Sequence, residues 1–180
     1  MAMEIRQQFP ISETAKVCDY GCGSLRIGAH FITSQAPGSY FGIDVSEDFI
    51  AYGKELLGEQ LLLAKRPRLG KISTELDEVA AAGVDLLFST DVASHVHPDE
   101  KPEYFDNIKK IVHRTGSAAV ILAITAERTV RYQRSGWAWP LGYYEESMRP
   151  LSLTKDRFRK TIVRNGYKLN SIMLTFQREA

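Results

Sequence analysis

The residues best placed for chemistry are an acid and two glycines, Asp19, Gly21 and Gly23, within Val17-Cys18-Asp19-Tyr20-Gly21-Cys22-Gly23-Ser24-Leu25-Arg26-Ile27-Gly28. Glycine has no Cβ, so the backbone can turn sharply there and come close to a ligand. Helical periodicity resumes after the turn, and a helix starting there aims unpaired N–H groups and partial positive charge into the same crevice. Such a loop cradles a nucleotide or a nucleoside. A second acid, Asp44, follows 21 residues after Gly23. That spacing lets a carboxylate closing the next strand accept from both hydroxyls of a ribose. Its ordinary alternative is to stabilise the N-terminus of the helix that follows.

The glycine spacing differs from a dinucleotide fingerprint, which needs a third glycine three residues after the second. Arg26 stands at that position, and the next glycine is Gly28. An acid two residues before Gly21 repels a phosphate and suits a ligand with a positive end. A ligand with an ammonium, a carboxylate and a ribose, but no phosphate, fits these features: S-adenosylmethionine. The segment resembles the first motif of class I S-adenosylmethionine-dependent methyltransferases. Tyr40-Phe41-Gly42-Ile43-Asp44-Val45-Ser46 resembles the second.

The resemblance implies a Rossmann-like fold, S-adenosylmethionine as cofactor and methyl transfer as the activity. It implies that Asp19 faces the methionine amino group and that Gly21, Cys22, Gly23 and Ser24 line the methionine moiety. Asp44 and Val45 then meet the ribose, and Ser89 and Thr90, ending the fourth strand, lie beside the methionine. Two positions depart from the family pattern. Leu25 stands where a further glycine is frequent, and Ser73, Thr74 and Glu75 replace the acid or small polar pair that meets the adenine.

A sulfonium is already an activated leaving group, so alignment and exclusion of water supply much of the acceleration. A base is needed only when the acceptor must lose a proton. Asp91, His95 and His97 follow the fourth strand and Glu127 follows the fifth; His95 and Glu127 are the candidate catalytic residues, His95 also resembling a histidine frequent at this point in the family. The alternative for His95 is a packing role. His95 and His97 have no evident third partner for a metal, so none is expected. Residues 126–152 hold Trp137, Trp139, Tyr143 and Tyr144, which either line an acceptor pocket or pack the segment onto the domain. Arg128, Arg131 and Arg134 are suited to an acidic acceptor.

These residues need a scaffold, and the rest of the chain supplies one. With 180 residues and 44% hydrophobic content, one core and a single domain over 1–180 are expected, with 126–152 as an acceptor-side insertion. Residues 1–16 read as a lead-in with one irregular turn, too short for the lid elements of many relatives, so an open acceptor site is expected. Apolar runs predict strands over 17–20, 39–45, 68–72, 84–89 and 118–125. Helices are expected over 25–33, from Ser46 to near Gly58, from Thr74 to Gly83, around Tyr104 to Val112, and from Thr154 to Gly166. One long final strand is expected over 167–178. Continuously apolar strands alternating with helices mean a doubly wound α/β domain, its mostly parallel sheet covered by helices on both faces.

The net charge of +1, from 23 basic and 22 acidic residues, provides no global field for nucleic acid or an anionic membrane. No apolar run approaches the ~20 residues that span a bilayer, and no secretory leader is visible, so a cytoplasmic protein is expected. Cys18 and Cys22 read as buried free thiols. Together these readings favour a methyltransferase whose acceptor is a small molecule or a group carried by a larger one. Two rivals stand: a methyltransferase-like binding module without catalysis, and a nucleotide-dependent oxidoreductase of the related fold.

Overall fold

The computed structural model describes residues 1–178. In chain order the elements are α1 (Ala2–Gln8), β1 (Val17–Tyr20), α2 (Gly28–Ser34), β2 (Tyr40–Asp44), α3 (Glu47–Leu57), α4 (Glu59–Lys65), β3 (Arg68–Lys71), α5 (Ile72–Ala81), β4 (Leu86–Ser89), α6 (Lys101–Ile111), β5 (Ala118–Thr125), β6 (Val130–Gln133), β7 (Gly136–Ala138), α7 (Leu141–Met148), β8 (Ser152–Arg164) and β9 (Tyr167–Gln177). The main sheet runs β3-β2-β1-β4-β5-β9-β8. Its first five strands are parallel, and β9 lies antiparallel between β5 and β8. The strand order reverses between β1 and β4, where such sheets open a crevice at the carboxyl ends of the strands.

Every residue of β1, β2 and β4 is buried, because helices cover both faces. On one face Ile5 of α1 and Phe31 and Ile32 of α2 pack on Val17, Leu86, Phe88 and Val120. On the other, Val79 of α5, Phe105 and Ile108 of α6 and Tyr144 and Met148 of α7 pack on Leu87, Ala119 and Ile121. Strands β6 and β7 form a separate small hairpin beyond the end of β5.

Several elements differ from the sequence reading. The lead-in forms a helix, α1, which buries Ile5 beneath the sheet. Helix α2 begins at Gly28 rather than at position 25, because Leu25 adopts a left-handed conformation, φ +61°, that interrupts the turn. Gly58, at φ +79°, separates α3 from α4. Helix α5 starts at Ile72, so Thr74 lies inside its first turn and donates to the Lys71 carbonyl instead of capping.

The largest correction concerns 154–166, which holds most of strand β8 and the turn after it, and not a helix. Asn165 and Gly166 both take positive φ, +49° and +77°, the conformation an Asn-Gly hairpin turn requires. That turn folds β8 back along β9. The last helix is α7, inside the 126–152 segment, where Tyr144 and Met148 fall on one buried face. The single long final strand, β9, is as expected. As the outermost strand, β8 leaves most of its length exposed, and Lys155, Arg157, Lys160 and Arg164 lie along it.

Candidate functional site

A cavity of about 470 Å³ opens over the carboxyl ends of β1, β2 and β4. Asp19, Gly21, Cys22, Gly23 and Ser24 reach it from the first strand and its turn, and Asp44 and Val45 from the second. Thr90, Asp91, Val92 and His95 form the wall beyond β4. Of the residues singled out for the methionine and ribose ends of the cofactor, Ser89 alone stays out of the lining; it is buried and accepts from the Tyr104 hydroxyl at 2.9 Å.

The turn is shaped by what surrounds it. Gly21 sits at φ +81°, and a Cβ there would strike the Val92 side chain, so glycine lets the two walls meet. The Gly21 and Cys22 amides donate to the Ile43 carbonyl at 2.8 and 3.1 Å, which ties the turn to β2. The Gly23 amide donates to Asp44 Oδ2 at 2.8 Å, and the Ser46 amide donates to Oδ1 at 2.9 Å. Each carboxylate oxygen keeps a further acceptor site. Ser46 caps α3, accepting from the Phe49 amide at 3.3 Å.

Asp19 is buried and accepts from the Tyr40 hydroxyl at 2.8 Å. Burial pushes its carboxyl up to about 7, the tyrosine bond pulls it back, and the nearby Asp44 raises it. Gly28 makes this bond feasible: a Cβ on it would collide with the Tyr40 hydroxyl. Neither Tyr40 nor Gly28 was singled out from the sequence for the site. The glycine is the readable signal, displaced from the dinucleotide position yet serving close helix–strand approach. Burial raises the Cys18 and Cys22 thiols, which keeps both protonated and unreactive.

His95 is exposed at the cavity wall, and its Nδ1 lies 2.8 Å from the Ser135 carbonyl. A carbonyl only accepts, so Nδ1 carries a proton, and in the neutral ring Nε2 holds the lone pair. Glu127 is exposed at the bend after β5 and lines none of the cavities near the turn. Trp137, Trp139, Tyr143 and Tyr144 also stay out of those linings. Trp139 stacks on Tyr143 with centroids 4.6 Å apart, and Tyr144 is fully buried. Arg131 lies over the Trp137 ring at 5.6 Å, while Arg128 and Arg134 are exposed. Among the described residues no group of three His, Cys, Asp or Glu could hold a metal ion.

A second cavity of about 400 Å³ adjoins the first at Val45 and Ile72 and takes in Lys71, Ser73, Thr74 and Asp77. Glu75 does not line it; its carboxylate pairs with Arg68 at 2.5 Å. Phe49, Ile72 and Val92 give the first cavity apolar surface that the sequence reading did not assign.

Comparison with known proteins follows the same lines. A family model described as a methyltransferase domain matches residues 18–118. No curated protein matches the chain in sequence. Among solved structures, magnesium protoporphyrin IX methyltransferase from Synechocystis PCC 6803, with bound SAM, is 16% identical with a TM-score of 0.66, over 99% of this chain and 76% of that one. The 1,6-didemethyltoxoflavin-N1-methyltransferase of Burkholderia thailandensis, with bound 1,6-didemethyltoxoflavin and S-adenosylhomocysteine, is 16% identical with a TM-score of 0.69, over 99% and 76%. The [4+2]-cyclase SpnF is 12% identical with a TM-score of 0.76, over 98% and 80%. These likenesses establish the fold.

Proposed function

This chain belongs to the methyltransferase domain family, and on that footing we propose that it is a class I enzyme transferring the methyl group of S-adenosylmethionine to a small molecule or a carried group. The observation that carries the reading is the placement of Asp19 and Asp44 around one glycine turn, at a cavity with no phosphate-type fingerprint. The residues fit the cofactor. A buried carboxyl raised to about 7 gains most from an ammonium group, which returns it to its charged form. The acceptor sites left on Asp44 suit paired ribose hydroxyls. Val45 and Ile72 offer an apolar floor where the adenine would lie, with Ser73 and Thr74 beyond it.

When bound, S-adenosylmethionine supplies an activated methyl group on a cationic sulfur. The chain's own part is positional. The turn from Gly21 to Ser24 fixes the donor's methionine end, and Val92 adds an apolar wall beside it. The free Nε2 of His95 takes a proton from an acceptor that must lose one. Hairpin β6–β7 meets that wall at Ser135, so the 126–152 insertion borders the cavity on the His95 side. Arg128 and Arg134 stand on that side and suit an acidic acceptor. We read the described residues, 1–178, as one domain. Among the described residues no helix is long and apolar enough to cross a membrane.

A second reading, a methyltransferase-like module without methyl transfer, has support in that a structure named as a [4+2]-cyclase shares this fold. Titration calorimetry with S-adenosylhomocysteine and with a nicotinamide dinucleotide, followed by labelled methyl transfer to candidate acceptors, separates these. Micromolar binding of the former and transfer of label are expected. Binding of the dinucleotide alone overturns the assignment.

A further inference from the structure

Lys101 opens α6 and is fully buried, a rare setting for lysine without an acid. Its amine forms one hydrogen bond, donated to the Ala93 carbonyl. Four aromatic rings enclose it, with centroids at 5.1 Å for Trp139, 5.4 Å for Tyr104 and 5.5 Å for both Phe105 and Tyr144. The negative ring faces stand in for water around a cation. An apolar side chain of similar size would fill this box with less desolvation cost, so the amine is explained by the carbonyl it holds.

That carbonyl belongs to the loop forming the cavity wall. Asp91, Val92 and His95 line the cavity on either side of Ala93. From the opposite side, the Trp137 amide donates to the Ser94 carbonyl at 2.8 Å, and His95 bonds to Ser135. The loop is thus gripped between the hairpin and one lysine.

We propose that Lys101 is a positioning residue: from its aromatic box it fastens loop 91–97 at Ala93 and so sets where His95 stands at the cavity. This role for His95 rests on the methyltransferase reading above. Burial pushes the amine down to about 7. Facing it are the phenols of Tyr104 on its own helix and Tyr144 on α7, both pushed up by burial and so uncharged. Trp139 and Phe105 have no titratable proton, and the loop presents the Ala93 carbonyl. A hydrogen bond from a cation is the stronger one, so the grip on the loop weakens as pH rises through about 7.

The test uses the whole chain and its Lys101→Met variant. Amide hydrogen exchange within 91–97 is expected to quicken about tenfold in the variant while β1 and β5 stay protected. Tryptophan emission of the wild type should change near pH 7, and that change should vanish in the variant. Equal exchange at 91–97 in both proteins, or wild-type emission flat between about pH 6 and about pH 8.5, overturns the proposal. Should the variant fail to fold, the wild type alone decides: protection at 91–97, corrected for intrinsic rates, must fall with rising pH more than elsewhere. S-adenosylhomocysteine calorimetry on both proteins keeps the two readings apart. If neither protein binds it while 91–97 still responds, the methyltransferase reading fails and the fastening of the loop stands. If both bind it and 91–97 does not respond, only the role of Lys101 falls.

Discussion

The Gly23 amide lies 2.8 Å from a carboxylate oxygen of Asp44, so the acid facing the proposed ribose also sets the shape of the turn that holds the methionine. Ligand affinity and loop geometry therefore share one side chain. Asp44→Ala is expected to weaken S-adenosylhomocysteine binding by about 1.5–3 kcal/mol, the usual loss for a hydrogen bond to a charged group. It should also lower the melting temperature, since the Gly23 and Ser46 amides lose their acceptor. Calorimetry and thermal melts on the same variant separate the two effects.

Asp19 makes stability fall with rising pH. Its folded carboxyl, at about 7, lies above its ordinary value of 3.8, so between these values the folded chain holds a proton that the unfolded chain has released. Its contribution is fully present below the lower value and lost as pH rises through about 7. Denaturant unfolding at several pH values should show this slope, and Asp19→Asn should flatten it. Where an ammonium ligand pairs with Asp19, affinity instead increases with pH through the same range.

Gly28→Ala forces a methyl group into the Tyr40 hydroxyl and is expected to cost about 1–3 kcal/mol. Tyr40→Phe removes the obstructing oxygen along with the bond to Asp19. In a double-mutant cycle the combined loss should be smaller than the sum of the single losses.

Leu25 takes a backbone conformation that costs a branched side chain about 1–2 kcal/mol. Its side chain is 1% exposed, and deleting a buried leucine costs about 2–5 kcal/mol. Packing outweighs strain, so Leu25→Gly should destabilise the fold although it restores the residue frequent in the family. Equilibrium unfolding in guanidinium measures the difference.

His95→Ala is expected to lower turnover by about 10²–10⁴-fold on an acceptor that must lose a proton. Affinity for S-adenosylhomocysteine should stay within about twofold, since the imidazole serves the acceptor rather than the donor. Single-turnover kinetics with labelled donor check both.

Strands β1, β2, β4 and β5 and the glycine turn were legible in the sequence because buried parallel strands are largely apolar, and glycine reports a backbone that other residues rarely adopt; β3, at the sheet edge with Arg68 and Lys71, carries a fainter signal. Strand β8 was not legible. Phe158, Ile162 and Val163 are spaced as a helical stripe, yet Phe158 is 58% and Val163 77% exposed, so they mark no buried face. The informative pair was Asn165-Gly166, read only as the end of a helix. The contact between Gly28 and Tyr40 joins residues 12 apart in the chain, and counting glycines along one motif does not reveal it. The box around Lys101 draws its rings from α6, α7 and the residue after β7, so local periodicity carries no trace of it.

Strand β8 ends the sheet with its outer backbone groups unmatched, a template on which a second molecule can add. Lys155, Arg157, Lys160 and Arg164 stand along that border, Lys155 and Arg157 donating to Gln7 of α1 and Arg164 to Gln133, and the predominance of one charge sign opposes pairing with an identical strand. Positive charge spaced along an open edge in this way disfavours edge-to-edge stacking into fibres.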